Sequence, residues 1–233
     1  MLKKVRAFLC QSCKRKLAGL IVLLICLYAQ NGSAQNNFIW KIPWWAPIPV
    51  VPADNLMSVA KVDLGRRLFY EKNLSINKTM SCGTCHQQEK AFTDGKRVAI
   101  GATRDKHSKN TPTLTNVAYS SILTWADPKS RRLEDHPLTP LFSDDPIEMG
   151  MSGQSLRIVE FLESDPVYNA SFRASFPESK VKVSIKNIAK ALASFQRTLI
   201  SFSSPYDRYR YNKDQNAISG SARNGEILFS VSD

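Results

Sequence analysis

The sequence predicts an all-α fold with long functional loops, on three observations. No stretch alternates apolar and polar residues as a half-buried strand does. Two stretches repeat apolar residues at three- and four-residue steps: Ala60, Leu64 and Leu68 with Phe69 in one, and Ile185, Ile188, Ala189, Leu192, Phe195 and Leu199 in the other. Between them, residues 73–130 are rich in Gly, Thr, Ser and Asn, which favour turns and caps over regular elements.

Taken in order, residues 1–34 read as a secretory signal peptide. Lys3, Lys4, Arg6, Lys14, Arg15 and Lys16 form a positive region, and an apolar run follows from Leu17 to Tyr28. That run is short of the roughly 20 residues that span a bilayer. Gly32, Ser33 and Ala34 then supply small residues before Gln35, so cleavage is expected after Ala34 and export to the periplasm follows. An uncleaved N-terminal anchor is the alternative. Cys10, Cys13 and Cys26 leave with the signal, and the mature chain keeps only Cys82 and Cys85. No other stretch approaches transmembrane length, so no stable membrane span is expected after cleavage.

Residues 35–56 interleave Trp40, Trp44 and Trp45 with Pro43, Pro47, Pro49 and Pro52. Proline fixes φ and removes a donor, so this segment predicts an extended apolar arm lying across the body. From Asn55 the pattern turns helical, with Ala60, Leu64 and Leu68 at four-residue steps and Phe69 beside them. Ser155 to Ser164 predicts a short helix carrying Leu156, Val159, Phe161 and Leu162, and Ser184 caps the clearest helix of the chain. A last helix runs from near Ser219 to Phe229.

Composition removes several classes. The chain is 43% hydrophobic, enough for a packed core, and 10 Gly with 12 Pro are too few for a fibrous chain. Its formal charge of +12 suggests nucleic acid. Six of the 32 Lys and Arg lie in residues 1–34 with no acid, so the rest carries 26 against 20 acids. Those bases are scattered, without a basic stripe or aromatic platform, so no nucleic acid is expected. An acidic protein partner suits such a surface as well.

The chemistry sits in Cys82-Gly83-Thr84-Cys85-His86, which reads as a c-type haem attachment sequence. Two thiols three residues apart reach the two vinyl groups on one haem edge, and the next residue places an imidazole under the iron. Such attachment happens outside the cytoplasm, in agreement with the signal. The alternatives are a redox CxxC pair and half of a zinc site. A zinc site needs two further ligands, with only His107 and His136 left among histidines, and a thioredoxin-like site needs a strand and helix context that is missing. The iron's sixth position separates an electron carrier, which fills it, from an enzyme, which leaves it open. Met149, Met151, His107 and His136 are all candidates.

A family resemblance rests on ordered stretches. These are Leu64-Gly65-Arg66-Arg67-Leu68-Phe69-Tyr70, Leu74-Ser75, the Ser81–His86 motif and Ala91-Phe92-Thr93-Asp94-Gly95. Next come Asn110-Thr111-Pro112-Thr113-Leu114 with Asn116-Val117-Ala118, then Leu123-Thr124-Trp125, Leu133-Glu134 and Pro146-Ile147-Glu148-Met149-Gly150. Last come Ala191–Leu199 and Pro205-Tyr206-Asp207-Arg208-Tyr209. From residue 40 to 233 the chain resembles the bacterial di-haem cytochrome c peroxidase family, most closely its MauG-like and MbnH-like branch. Leu123-Thr124-Trp125-Ala126 and the Trp/Pro-rich arm point to the MbnH-like members.

The resemblance implies an exported haem peroxidase-like oxidoreductase that uses hydrogen peroxide. It implies a periplasmic electron-donor or substrate protein, whose tryptophan is oxidised in the MbnH-like branch. His86 becomes the proximal ligand. Glu148 becomes the distal carboxylate that moves a proton between peroxide oxygens. Pro140 limits access on the distal side, Trp125 relays electrons between haems, and Asn110 is a ligand of a calcium ion. His136 stands where the family has Gln, either replacing that amide or binding the iron. Ala102 aligns with the displaceable histidine of the reductively activated peroxidases, which favours a site open at rest.

The family carries a second haem domain with its own CxxCH, and this sequence has no second motif. The organisation expected is therefore a haem c domain over residues 57–204. Residues 205–233 then begin a truncated second cytochrome c domain, with the 217–229 helix as its last element. A single-haem electron carrier and an inactive remnant are the alternatives to catalysis.

Overall fold

Helix capping sets where the elements of this chain begin. In the computed structural model, which describes residues 38–125 and 130–230, α1 spans Val59–Phe69 and α6 spans Ile185–Gln196. Ser58 and Ser184 sit before them in extended conformation, and their hydroxyls accept from the main-chain N–H of Lys61 and Asn187. Each hydroxyl satisfies one of the donors a helix start leaves open. Both helices match the sequence pattern.

These two helices make the principal packing of the fold. Gly65 lets them approach closely, since a Cβ there would lie 1.9 Å from the carbonyl oxygen of Ala191. Leu64, Leu68, Phe69, Ile188, Ala191, Leu192 and Ala193 fill the contact, all fully or almost fully buried. The Phe69 ring meets Phe195 at 5.1 Å, and further along meets His86 at 6.3 Å and Phe92 at 6.4 Å. Phe69 thereby connects the core to the haem motif.

Around this pair lie α2 (Cys82–Cys85), α3 (Leu138–Phe142), α4 (Ser155–Ser164), α5 (Pro166–Ser175), α7 (Pro205–Asn212) and α8 (Gly220–Ser230). The bounds of α4 agree with the sequence. Ile158 and Leu162 are buried, whereas Leu156 is 76% exposed. The short helices α2 and α3 and the helices α5 and α7 escaped the periodicity reading. Helix α5 follows α4 after one residue, because Asp165 caps it from the side chain and Pro166 occupies its first position. Ser204 and Pro205 repeat that device at α7. Neither α7 nor α8 buries a residue.

Within the arm, Ala46 N–H donates to the Pro43 carbonyl, and Trp45 stacks on Tyr211 of α7 with centroids 3.7 Å apart. The Tyr119 hydroxyl donates to the Pro47 carbonyl at 2.8 Å. Among the described residues the only β contacts are isolated bridges such as Gln87 with Thr93. No helix among them is long and apolar enough to cross a membrane. The signal-peptide segment, residues 35–37 of the arm, Ala126 and the last three residues lie outside the described residues.

Candidate haem site

Cys82 to Cys85 wind into one helical turn, which puts the two thiols on the same side. Residues of the motif itself fix that turn. Ser81 N–H donates to Thr84 Oγ1 at 3.0 Å, and Thr84 N–H donates to the Ser81 carbonyl at 3.0 Å. Gly83 is required by contact, because a Cβ there would lie 2.5 Å from the Tyr70 ring. His86 N–H closes the turn on the Cys82 carbonyl at 2.9 Å.

The His86 ring is oriented by one hydrogen bond. Its Nδ1 lies 2.8 Å from the Phe92 carbonyl oxygen, which only accepts, so Nδ1 carries the proton and Nε2 keeps its lone pair. Burial lowers the basicity of this imidazole, with the Phe92 carbonyl acting in the opposite sense. Neutral imidazole is the form that binds a metal. The carbonyl is presented by a tight turn in which Ala91 and Phe92 both adopt the left-handed region, with φ of 54° and 59°. Non-glycine residues there carry strain of about 1–3 kcal/mol each. The threonine-rich segment braces the turn: Thr113 Oγ1 and Thr115 Oγ1 both donate to the Ala91 carbonyl, and Thr93 Oγ1 donates to the Thr111 carbonyl at 2.6 Å.

Cys82, Cys85 and His86 line a cavity enclosing roughly 1060 Å³ of atom-free space, its open mouth included. Glu148, His136, Pro140, Trp125, Asn110 and His107 line the same cavity. The structure thus brings these residues together, while Met151, a candidate sixth ligand, lies outside the cavity. Burial pushes the Cys82 thiol up to about 12 and the Cys85 thiol up to about 11, the neighbouring Cys85 and Asp94 charges adding to each respectively. A redox CxxC pair needs the opposite, a thiol turned acidic. Among the described residues no cluster of three His, Cys, Asp or Glu could hold a metal ion, which removes the zinc reading for them.

The donor set fits a covalently held haem. Two free thiols share one side of a turn, a neutral imidazole offers Nε2, and Met80, Ile100, Leu114 and Leu123 give apolar wall. The buried His107 Nε2, Thr111 Oγ1 and Gln196 Oε1 have no hydrogen-bond partner among the described residues, and all three residues line the cavity. Buried polar atoms of this kind demand a partner.

Glu148 lies at a bend fastened on both sides. Its carbonyl accepts from Ala102 N–H at 2.7 Å, Met149 N–H donates to the Pro140 carbonyl at 2.9 Å, and the Met149 carbonyl accepts from Ile76 N–H at 2.9 Å. Burial raises the Glu148 pKa, against a smaller lowering by the charge of His107. Burial lowers the His136 pKa, and the charge of His86 lowers it further. Of the two methionine candidates, Met149 lines the cavity, while Met151 is wholly buried in the core and does not. Trp125 is 60% exposed at the cavity edge, and its indole N–H donates to the Asn110 carbonyl at 2.9 Å.

Sequence reasoning missed the support behind this wall. Arg197 Nη2 and Glu134 Oε1 form an ion pair of 2.8 Å, with side chains only 4% and 5% exposed. Asn55 Nδ2 donates to the same Glu134 oxygen at 2.9 Å and to the Lys190 carbonyl at 3.0 Å. Glu134 stands two residues before His136, and Arg197 follows Gln196. A signal was present: Gln196 sits four residues after Leu192, on the apolar stripe of α6.

An all-helical fold that seats a CxxCH turn and its imidazole in a partly apolar cavity defines a c-type haem protein. Residues 59–216 match the family model described as di-haem cytochrome c peroxidase, and the chain belongs to that family. Membership implies haem c as the bound group. The chain is 32% identical over 211 residues to the methylamine utilization protein MauG of Methylophilus methylotrophus, covering 90% of this chain and 61% of that one. It is 31% identical over 202 residues to the cytochrome c peroxidase Ccp of Escherichia coli K12, covering 87% and 40%. A solved MauG-like protein associated with microbial copper homeostasis superposes with a TM-score of 0.77 at 42% identity, over 82% of this chain and 55% of that one. The chain thus spans about half the length of the proteins it matches.

Proposed function

We propose that this chain is the peroxide-reactive, haem-bearing part of an exported c-type haem peroxidase of the MauG-like type. The observation that carries the reading is the His86 imidazole, its tautomer fixed by the Phe92 carbonyl, sharing one cavity with Cys82, Cys85 and the buried carboxyl of Glu148. When bound, the haem supplies a redox-active iron. Cys82 and Cys85 would anchor it through thioethers, and His86 Nε2 would ligate its iron.

Peroxide takes up two electrons and two protons to give two waters, and the electrons come from a partner protein. Glu148, whose proton affinity burial raises, shuttles a proton between the two peroxide oxygens. His136, kept neutral by burial, hydrogen-bonds in place of the family's glutamine. Pro140 narrows access. Trp125, exposed at the cavity edge, relays electrons, and the oxidised group on the partner is a tryptophan, as in the MbnH-like branch. Asn110 contributes an oxygen ligand to a calcium ion. The signal segment directs the chain to the periplasm.

One observation favours a second reading: Met149 lines the cavity, and a thioether at the sixth position would make a single-haem electron carrier. Optical spectra of the haem-loaded chain decide between them. A spectrum that changes on adding peroxide and carbon monoxide supports the peroxidase reading. A six-coordinate, low-spin spectrum indifferent to both supports the carrier. Within the peroxidase reading, Glu148→Gln is expected to slow the reaction with peroxide by about 10²–10⁴-fold, as stopped-flow absorbance reads it.

A further inference from the structure

The loop over residues 99–109 carries a histidine that the peroxidase reading does not use. Ala99 N–H donates to the Lys109 carbonyl at 2.9 Å and His107 N–H donates to the Ala99 carbonyl at 3.0 Å, while Ile100 bridges Lys106. The loop is fastened to the Glu148 segment. Ala102 N–H donates to the Glu148 carbonyl at 2.7 Å, and Gly101 presses so close to the Ile147 carbonyl that a Cβ would lie 1.9 Å from its oxygen. On its far side, Asn77 Nδ2 donates to the Ala102 carbonyl at 2.7 Å. His107 and Glu148 are therefore held by one main-chain unit, and both line the haem cavity.

The two polar ends of the His107 ring differ from those of His86. The Nδ1 of His86 is committed to a main-chain carbonyl, whereas the Nε2 of His107 is buried with no partner among the described residues. A buried ring nitrogen without a partner is costly unless something in the cavity meets it. The charge of His107 is felt by Glu148 and by no other described group whose shift is resolved, which places the two in one electrostatic neighbourhood.

We propose that His107 acts with Glu148 as a two-point hydrogen-bonding clamp for a small protic ligand taken up in this cavity, of the class of peroxide or hydrogen cyanide. The proposal rests on the peroxidase reading and deepens it. His107 offers an N–H or a lone pair at Nε2, and the Glu148 carboxyl offers the complementary group. Such a ligand is then oriented from two directions before any proton moves.

Cyanide binding to the haem-loaded full chain tests the clamp, followed by the Soret shift and supported by the resting spectrum and haem content. His107→Leu is expected to weaken cyanide binding by about tenfold or more, as loss of a hydrogen bond to a charged partner does, with haem content unchanged. His107→Gln, which keeps a side-chain N–H, is expected to stay within about threefold. In a Glu148→Gln background, His107→Leu is expected to weaken binding by less than it does alone, because the two side chains hold the same ligand. Unchanged binding in His107→Leu, or equal losses in both backgrounds, overturns the clamp and leaves the peroxidase reading standing. A low-spin resting spectrum that turns high-spin in His107→Leu makes His107 an axial ligand and overturns the clamp. A wild-type haem that takes up neither cyanide nor peroxide overturns the peroxidase reading and the clamp with it.

Discussion

Around α1 and α6, position is set by side chains; around the cavity, it is set by the main chain. In the first region Gly65 admits close approach and Leu64, Leu68, Phe69, Ile188 and Leu192 interlock with almost no exposure. In the second, Glu148 is placed by bonds from Ala102, Met149 and Ile76 that involve no side chain, and His86 takes its tautomer from the Phe92 carbonyl. Truncations in the first region remove packing directly. Substitutions at Glu148 or His107 leave the scaffold of the second in place and change only the chemistry presented. A cofactor site gains from this separation, because the groups facing the ligand need not also hold up the fold.

The Asn55–Glu134–Arg197 cluster lies at the seam between the regions, and it offers the largest test. Removing one partner of a buried ion pair leaves a charge without compensation, at about 3–5 kcal/mol. Glu134→Ala is expected to lose that much in denaturant unfolding. The Arg132–Asp54 pair, half exposed on both sides, is the control, and Arg132→Ala is expected to leave denaturant unfolding almost unchanged. Replacing Glu134 and Arg197 together by Leu and Met is expected to recover most of the stability. A small loss in Glu134→Ala would move the cluster from the core side of the comparison to the wall side.

A smaller effect comes from the wall. Burial and the His86 charge lower the His136 pKa below its ordinary 6.5. The unfolded chain then binds a proton that the folded chain refuses. The stability contributed by neutral His136 is complete above about pH 6.5 and declines as pH falls below it, by at most about 1.4 kcal/mol per pH unit. His136→Gln is expected to flatten that part of the pH profile of unfolding in the haem-loaded chain. An unchanged slope would mean that His136 is charged in the folded state and is no neutral hydrogen-bonding group.

The two regions also differed in how far they could be read. The α1 and α6 stripes are periodic signals and Ser184 is a cap signal, and the structure reproduced them, adding Ser58 as the cap of α1. The Cys82–His86 motif and its ordered neighbours named the site residues, and all of these but the candidate ligand Met151 meet in one cavity. Helices α5 and α7 went unread because a cap plus a proline, not an apolar stripe, starts them. Which of the apolar residues of α4 face inward was not legible, since Leu156 is exposed and Leu162 buried according to the neighbouring elements and not to the helix itself. Glu134 and Arg197 were visible as residues but not as a pair, since 63 positions separate them. The orientation of His86 was illegible for a similar reason. It depends on two left-handed residues, Ala91 and Phe92, that no propensity would choose.

Those two residues supply the finest test, since strain at the turn is what sets the main-chain region apart. Ala91 is exposed and holds φ of 54°, so its methyl packs against nothing that would be missed. Glycine adopts this conformation without penalty but loses more freedom on folding. The net effect expected for Ala91→Gly is a gain of up to about 1 kcal/mol in unfolding, with the haem spectrum unchanged. Phe92 has the same kind of φ, but its ring meets Phe69. Phe92→Gly is therefore expected to lose stability, because relief of the strain does not offset the lost aromatic burial. Opposite signs at adjacent residues would show that the turn is held against its own preference by packing on one residue and by threonine hydroxyls on the other. A loss at Ala91→Gly as well would mean that the left-handed turn is relaxed in this setting. The precision of the Phe92 carbonyl at His86 would then come from the bracing by Thr113 and Thr115 alone.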